Sequence, residues 1–250
     1  MGALHAAWAV GATLGPPLIG LVLVIAGSWR LGYAVAALLF VAFAIAMYLA
    51  RADLAATPER EDAPIATRGA RRASVMGGAL MFVYVGIELG AGQWSFTRLT
   101  VDGALTDAVA GLAVFLYWSA LAAGRIALAF FGDRLAAARL VDLSVTGAIA
   151  GAVAFWIFPP PIAALLALPS SGFSLSVFVP VLLYLIPQRV GRVAAPHVIG
   201  YLVAAGMIGG AVLPAGIGVV LQATGVSSLG ICLTGLAGTF GVLHLASRGR

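Results

Sequence analysis

Residues 2–20 read GALHAAWAVGATLGPPLIG. Eight residues separate Gly2 from Gly11 and three separate Gly11 from Gly15; Pro16 follows at once and Gly20 closes the stretch. Aspartate, glutamate, lysine and arginine are all missing from it. Glycine removes side chains from a helix face, so a second helix can come close, and that is how helices pack in lipid. The stretch predicts a membrane helix with one flat face.

The rest of the chain agrees. Only 9% of the residues are charged, 62% are hydrophobic, and mean hydropathy is +1.08. A soluble domain carries about 25% charged residues, so this composition predicts an all-α integral membrane protein. All fourteen basic residues are arginine. The formal net charge of +5 could suggest nucleic acid, but the arginines lie between apolar stretches, where membrane topology accounts for them. One cysteine, Cys232, excludes an intrachain disulfide.

Eight apolar stretches are long enough to cross a bilayer. They are His5–Gly27, Tyr33–Ala50, Val75–Phe96, Ala108–Phe131, Leu140–Phe158, Ile162–Ile186, His197–Leu221 and Ser228–Ala246. Residues 51–73 hold Pro58, Pro64 and nine charges, and read as a linker between residues 1–50 and residues 74–250. Arg51, Arg60, Arg68, Arg71, Arg72, Arg134, Arg139, Arg189, Arg192, Arg248 and Arg250 fall on one side, with Arg125 near it; Arg30 and Arg98 fall on the other. The crowded side is expected in the cytoplasm, with both termini there and the protein in the inner (plasma) membrane.

Sliding the chain on itself by about 195 residues sets Gly11 on Gly206 and Gly15 on Gly210, with Pro16 and Pro214 following. A period of six helices is what two parallel six-helix halves produce. These glycines and prolines read as packing and flexing elements, since proline leaves a helix carbonyl without its usual donor.

The segment from Gly2 to Gly20 resembles the fifth-helix motif of the major facilitator superfamily, with Ile19 in place of the first glycine of the final pair. Gly124-Arg125 and Gly132-Asp133-Arg134-Leu135 resemble the relaxed second copy of its cytoplasmic loop motif. Tyr84-Val85-Gly86-Ile87-Glu88, Gly92 and Trp94 resemble the seventh helix of the fucose permease-like branch. Pro187, Arg189, Val190 and Gly191, leading into Gly200, Gly206, Gly210 and Pro214, resemble that branch's tenth-to-eleventh stretch. The resemblance implies the C-terminal two-thirds of a twelve-helix transporter: two helices of one half-bundle, a cytoplasmic linker and a complete six-helix half, without the first four helices. It implies alternating access, and it implies that this length alone does not transport.

Glu88 is the one acidic residue well inside any stretch. An ionised carboxylate there costs about 2.5–3.5 kcal/mol, so a cavity or a partner is expected beside it. Such a group can take up and release a proton. Tyr84 and Gln93 are placed on about the same face as Glu88, with Trp94 beside Gln93; aromatics next to amides and acids suit a sugar-type solute. Tyr117 and Trp118 in the next stretch are further candidates. Arg125, Asp133, Arg134 and Asp142 cluster at a helix–loop–helix junction and read as a cytoplasmic gate. Ser170, Ser171, Ser174 and Ser176 read as points of close helix contact.

A secondary transporter of small molecules, driven by protons and embedded in lipid, is therefore the expected function. Proton-coupled drug export and a receptor-like, non-transporting relative are the alternatives. The stretches hold no His-x-x-x-His, no cysteine pair and no nucleotide loop, so neither an enzyme nor a cofactor is expected.

Overall fold

A computed structural model describes residues 11, 14–15, 18–51 and 68–248. Among the described residues the chain divides into two compact units, one within residues 11–51 and one of residues 68–248.

In the smaller unit, residues 18–26 are helical and α1 runs from Trp29 to Leu49. Gly27 turns the chain between them at φ +63°, a conformation that glycine adopts without a steric penalty. Gly32 lets the Ile19 side chain lie against α1. The Arg51 guanidinium caps α1, donating to the Tyr48 carbonyl at 2.9 Å and stacking 3.9 Å from the Tyr48 ring. Of the first predicted span, residues 11, 14–15 and 18–27 are described; the rest, Pro16 included, lies outside the described residues.

The larger unit is a bundle of long helices: α2 Arg68–Val101, α3 Asp107–Phe131, α4 Ala137–Ile157, α5 Leu168–Leu175, α6 Phe178–Val190, α7 Ala195–Thr224 and α8 Leu229–Arg248. A helical turn at Pro160–Ile162 and a π segment at Ala163–Ala167 lead into α5, so residues 160–190 make one crossing. Two prolines explain the irregularity. Pro169 lacks the N–H that would bond the Leu165 carbonyl, where the helix widens into the π segment; Pro180 lacks the one that would bond the Ser176 carbonyl, where α5 gives way to α6. Among the described residues, seven helical segments are long and apolar enough to cross a membrane. The protein is an integral membrane protein of all-helical fold.

Several boundaries differ from the sequence reading. α2 begins at Arg68, inside the stretch read as linker, and continues five residues past Phe96. Apolar scanning cannot see these ends because arginines and polar residues populate them, yet the helix persists where its backbone reaches water. It ends with Gly103 N–H donating to Arg98 C=O and Leu105 N–H to Leu99 C=O, both at 3.0 Å, across Ala104 at φ +50°. Thr106 then caps α3 through its side chain.

Glycine does much of the packing. α7 lies along α2 with small residues facing large ones: Leu202 fills the space over Gly77, Leu213 over Gly86 and Ile217 over Gly90. In return Gly206 receives Met81 and Val85, and Gly210 receives Val85 and Leu89. At Gly209 a Cβ would strike the Phe82 carbonyl. On the other flank, Gly124 of α3 takes Ser176, while Gly147 and Gly151 of α4 take Ser174 and Ser171. Lipid gives no hydrophobic drive between helices, so this close approach is where the packing energy arises. Tyr84, Phe178 and Phe240 fill the centre; Phe178 stacks on Tyr84 at 5.0 Å and meets Phe240 edge-on at 4.7 Å.

Candidate functional site

Glu88 lies near the middle of α2 and is almost fully buried. Its Oε1 accepts from Nη2 of Arg125 at 3.2 Å, and the two side chains are 5% and 6% exposed. The partner the sequence calls for is therefore an arginine from α3. The Tyr117 hydroxyl, also on α3, donates to the Glu88 backbone carbonyl at 2.9 Å. Tyr84 stands one turn before Glu88; its hydroxyl donates to the Leu175 carbonyl at 3.0 Å and also faces the Glu88 carboxylate. α2, α3 and α5 thus meet around one buried ion pair. Gly172 makes this possible, because a Cβ there would collide with the Tyr117 carbonyl and ring.

Gln93 does not join this group. It is exposed, and five residues at about 100° each set it about 140° round the helix from Glu88. Trp94 turns towards α7, where its indole N–H donates to the Pro214 carbonyl at 2.9 Å and its ring lies over Gly218. Trp118 meets Tyr117 edge-on at 5.1 Å and rests against Gly92 of α2. Tyr84 and Tyr117 flank the ion pair, Trp118 packs behind Tyr117, and Trp94 fastens the α2–α7 seam.

Three of the four charges read as a gate have side chains among the described residues. Arg125 points into the bundle to Glu88. Asp142 of α4 instead binds the end of α8: its Oδ1 lies 2.7 Å from Nε2 of His244, and its Oδ2 accepts from Arg248 at 2.9 Å. The Arg134 guanidinium lies 4.8 Å from the Phe131 ring. The Asp133 side chain falls outside the described residues. His244 and Arg248 are thus partners of Asp142 that sequence proximity does not reveal, since they lie 102 and 106 residues away.

The four serines of α5 and its flanks bond their own helix: Ser170 to the Leu166 carbonyl, Ser171 to Leu168, Ser174 to Ser170 and Ser176 to Phe173, at 2.6–2.8 Å. Their hydroxyls are spent locally, and their small bulk admits the neighbouring helices. Gly206 and Gly210 sit in the α2–α7 seam, but a methyl built on Gly11 or Gly15 meets nothing within 4 Å among the described residues. His5 lies outside the described residues. At the arginine-poor end, Arg98 donates to the Phe155 carbonyl at 2.9 Å and covers the Phe155 ring at 4.5 Å.

Long apolar helices, glycine-packed seams and a buried acid–base pair describe a polytopic membrane bundle. The family model of the Major Facilitator Superfamily matches residues 1–214. The chain belongs to the major facilitator superfamily. As a member it is a membrane transporter of the major facilitator type, embedded in lipid. No curated protein and no solved structure matches it.

Proposed function

We propose that this superfamily member is a proton-coupled secondary transporter of the fucose permease-like branch, moving a small sugar-type solute by alternating access. The observation that carries the reading is the Glu88–Arg125 pair, 3.2 Å apart and removed from solvent inside the bundle. Arginine keeps its charge at any working pH, so only Glu88 can change state. A proton on Glu88 takes the carboxylate charge from Arg125, and removing one partner of a buried pair costs about 3–5 kcal/mol. A difference of about 5.5 kcal/mol moves a two-state equilibrium from 1:99 to 99:1. Protonation of Glu88 is thus large enough to bias which side of the membrane the site faces.

Residues 74–250 form one half of the moving pair of bundles in this reading, residues 1–50 belong to the other, and the linker joins them. The arginine-rich helix ends face the cytoplasm of an inner (plasma) membrane, following the positive-inside rule. Tyr84, Tyr117 and Trp118 hold and tune the ion pair, while Gln93 and Trp94 serve solute contact and the α2–α7 seam.

Uptake in native membrane vesicles under an inward proton gradient tests the substrate class. Unlabelled hexoses should compete with a labelled hexose. Competition by lipophilic cations, with none by hexoses, would replace sugar uptake with drug export.

A further inference from the structure

A cavity of about 590 Å³ opens at the arginine-rich end of the larger unit. Its basic walls come from three helices: Arg72 of α2, Arg189 of α6 and Arg248 of α8, with His244 of α8 beside Arg248. Among the described residues no acid lines it. Asp142 holds Arg248 and His244 from one side, at 2.9 and 2.7 Å, and so fixes the end of α8. Its single charge leaves the three arginines with net positive charge. Deeper in, the walls turn apolar with Met76 and Leu182.

We propose that this cavity binds the phosphate of an anionic membrane phospholipid, with the start of an acyl chain along its apolar wall. Guanidinium groups match phosphate oxygens in paired hydrogen bonds, which an ammonium cannot do. The depth suits a headgroup. A helix of 34 residues such as α2 is about 51 Å long, against a hydrocarbon layer of about 30 Å, so its ends stand among headgroups. Arg72 lies near the start of α2, Arg189 one residue before the end of α6, and Arg248 ends α8. Basic pockets between membrane helices on the cytoplasmic side take such headgroups. A free phosphate offers the same anion, but would leave the apolar wall unused. This assignment stands independently of any transport reading.

Native mass spectrometry of the purified full chain tests it, using phosphatidylglycerol and phosphatidylcholine of matched acyl length. Phosphatidylglycerol should bind at least about tenfold more tightly, and millimolar inorganic phosphate should not displace it. The Arg72→Gln/Arg189→Gln double variant should lose about thirtyfold in that affinity, from two arginines near the surface. Arg30→Gln, in the other unit, should bind as the wild type does. Equal affinity for the two lipids, an unchanged double variant, or an equal loss in Arg30→Gln would overturn the proposal. Displacement by inorganic phosphate would assign the cavity to a soluble anion and overturn the lipid. The comparison of lipids on the wild-type chain decides the matter even where the double variant does not fold.

Discussion

Nη2 of Arg125 lies 3.2 Å from Oε1 of Glu88, across the contact between α2 and α3 and more than nine-tenths buried on both sides. The energy of such a pair is asymmetric. Leaving one charge alone costs much more than removing both. Arg125→Ala and Glu88→Ala should each destabilise the protein by about 3–5 kcal/mol, and the double variant by less than their sum. Thermal unfolding in detergent, run as a double-mutant cycle, measures the coupling; strict additivity would mean the charges do not interact.

The α2–α7 seam makes a prediction about two glycines on one helix. A Cβ at Gly209 would strike the Phe82 carbonyl, whereas one at Gly216 meets nothing within 4 Å. Gly209→Ala should force the helices apart and lower stability by about 1–3 kcal/mol. Gly216→Ala should be neutral or gain up to about 1 kcal/mol from helix propensity. Unfolding midpoints of the two variants, compared side by side, check this.

Trp94 joins α2 to α7 by a 2.9 Å hydrogen bond to the Pro214 carbonyl. Trp94→Phe keeps most of the apolar bulk and deletes the donor. A loss of about 0.5–1.5 kcal/mol is expected. Quenching of the seam can be followed by hydrogen exchange, which should rise in α7 around Pro214 and stay unchanged in α4.

Ala104 sits at φ +50° between α2 and α3, where a side chain strains the backbone. The left-handed conformation costs a non-glycine residue about 1–2 kcal/mol. Ala104→Gly should raise stability by about 0.5–1 kcal/mol after the greater freedom of glycine in the unfolded chain is counted. A lower melting temperature would show that the turn is held by something other than its own backbone.

Much of the architecture was legible because lipid demands it. Long apolar runs separated by arginines leave few alternatives to membrane helices, and Gly206 and Gly210 announce close packing by their spacing. Glu88 stood out for the same reason, as a carboxylate where apolar residues belong. Its partner was not legible. Arg125 is near Asp133, Arg134 and Asp142 in sequence, but it lies six residues before the end of α3, about 9 Å into the helix, and that depth delivers it to α2. The links from Asp142 to His244 and Arg248 were hidden likewise, since only the fold brings α4 beside the end of α8. Gln93 was misplaced because five residues do not complete a whole number of turns.

In the proposed cycle, protonation of Glu88 is the driving step, and Glu88→Gln removes it. Glutamine keeps the shape but is permanently neutral, so the switch is fixed in one state. In native membrane vesicles carrying this substitution, with protein levels matched to wild type, hexose accumulation under an inward proton gradient should vanish while exchange without a gradient persists. Accumulation at the wild-type level in Glu88→Gln would contradict the account and leave the ion pair a structural brace.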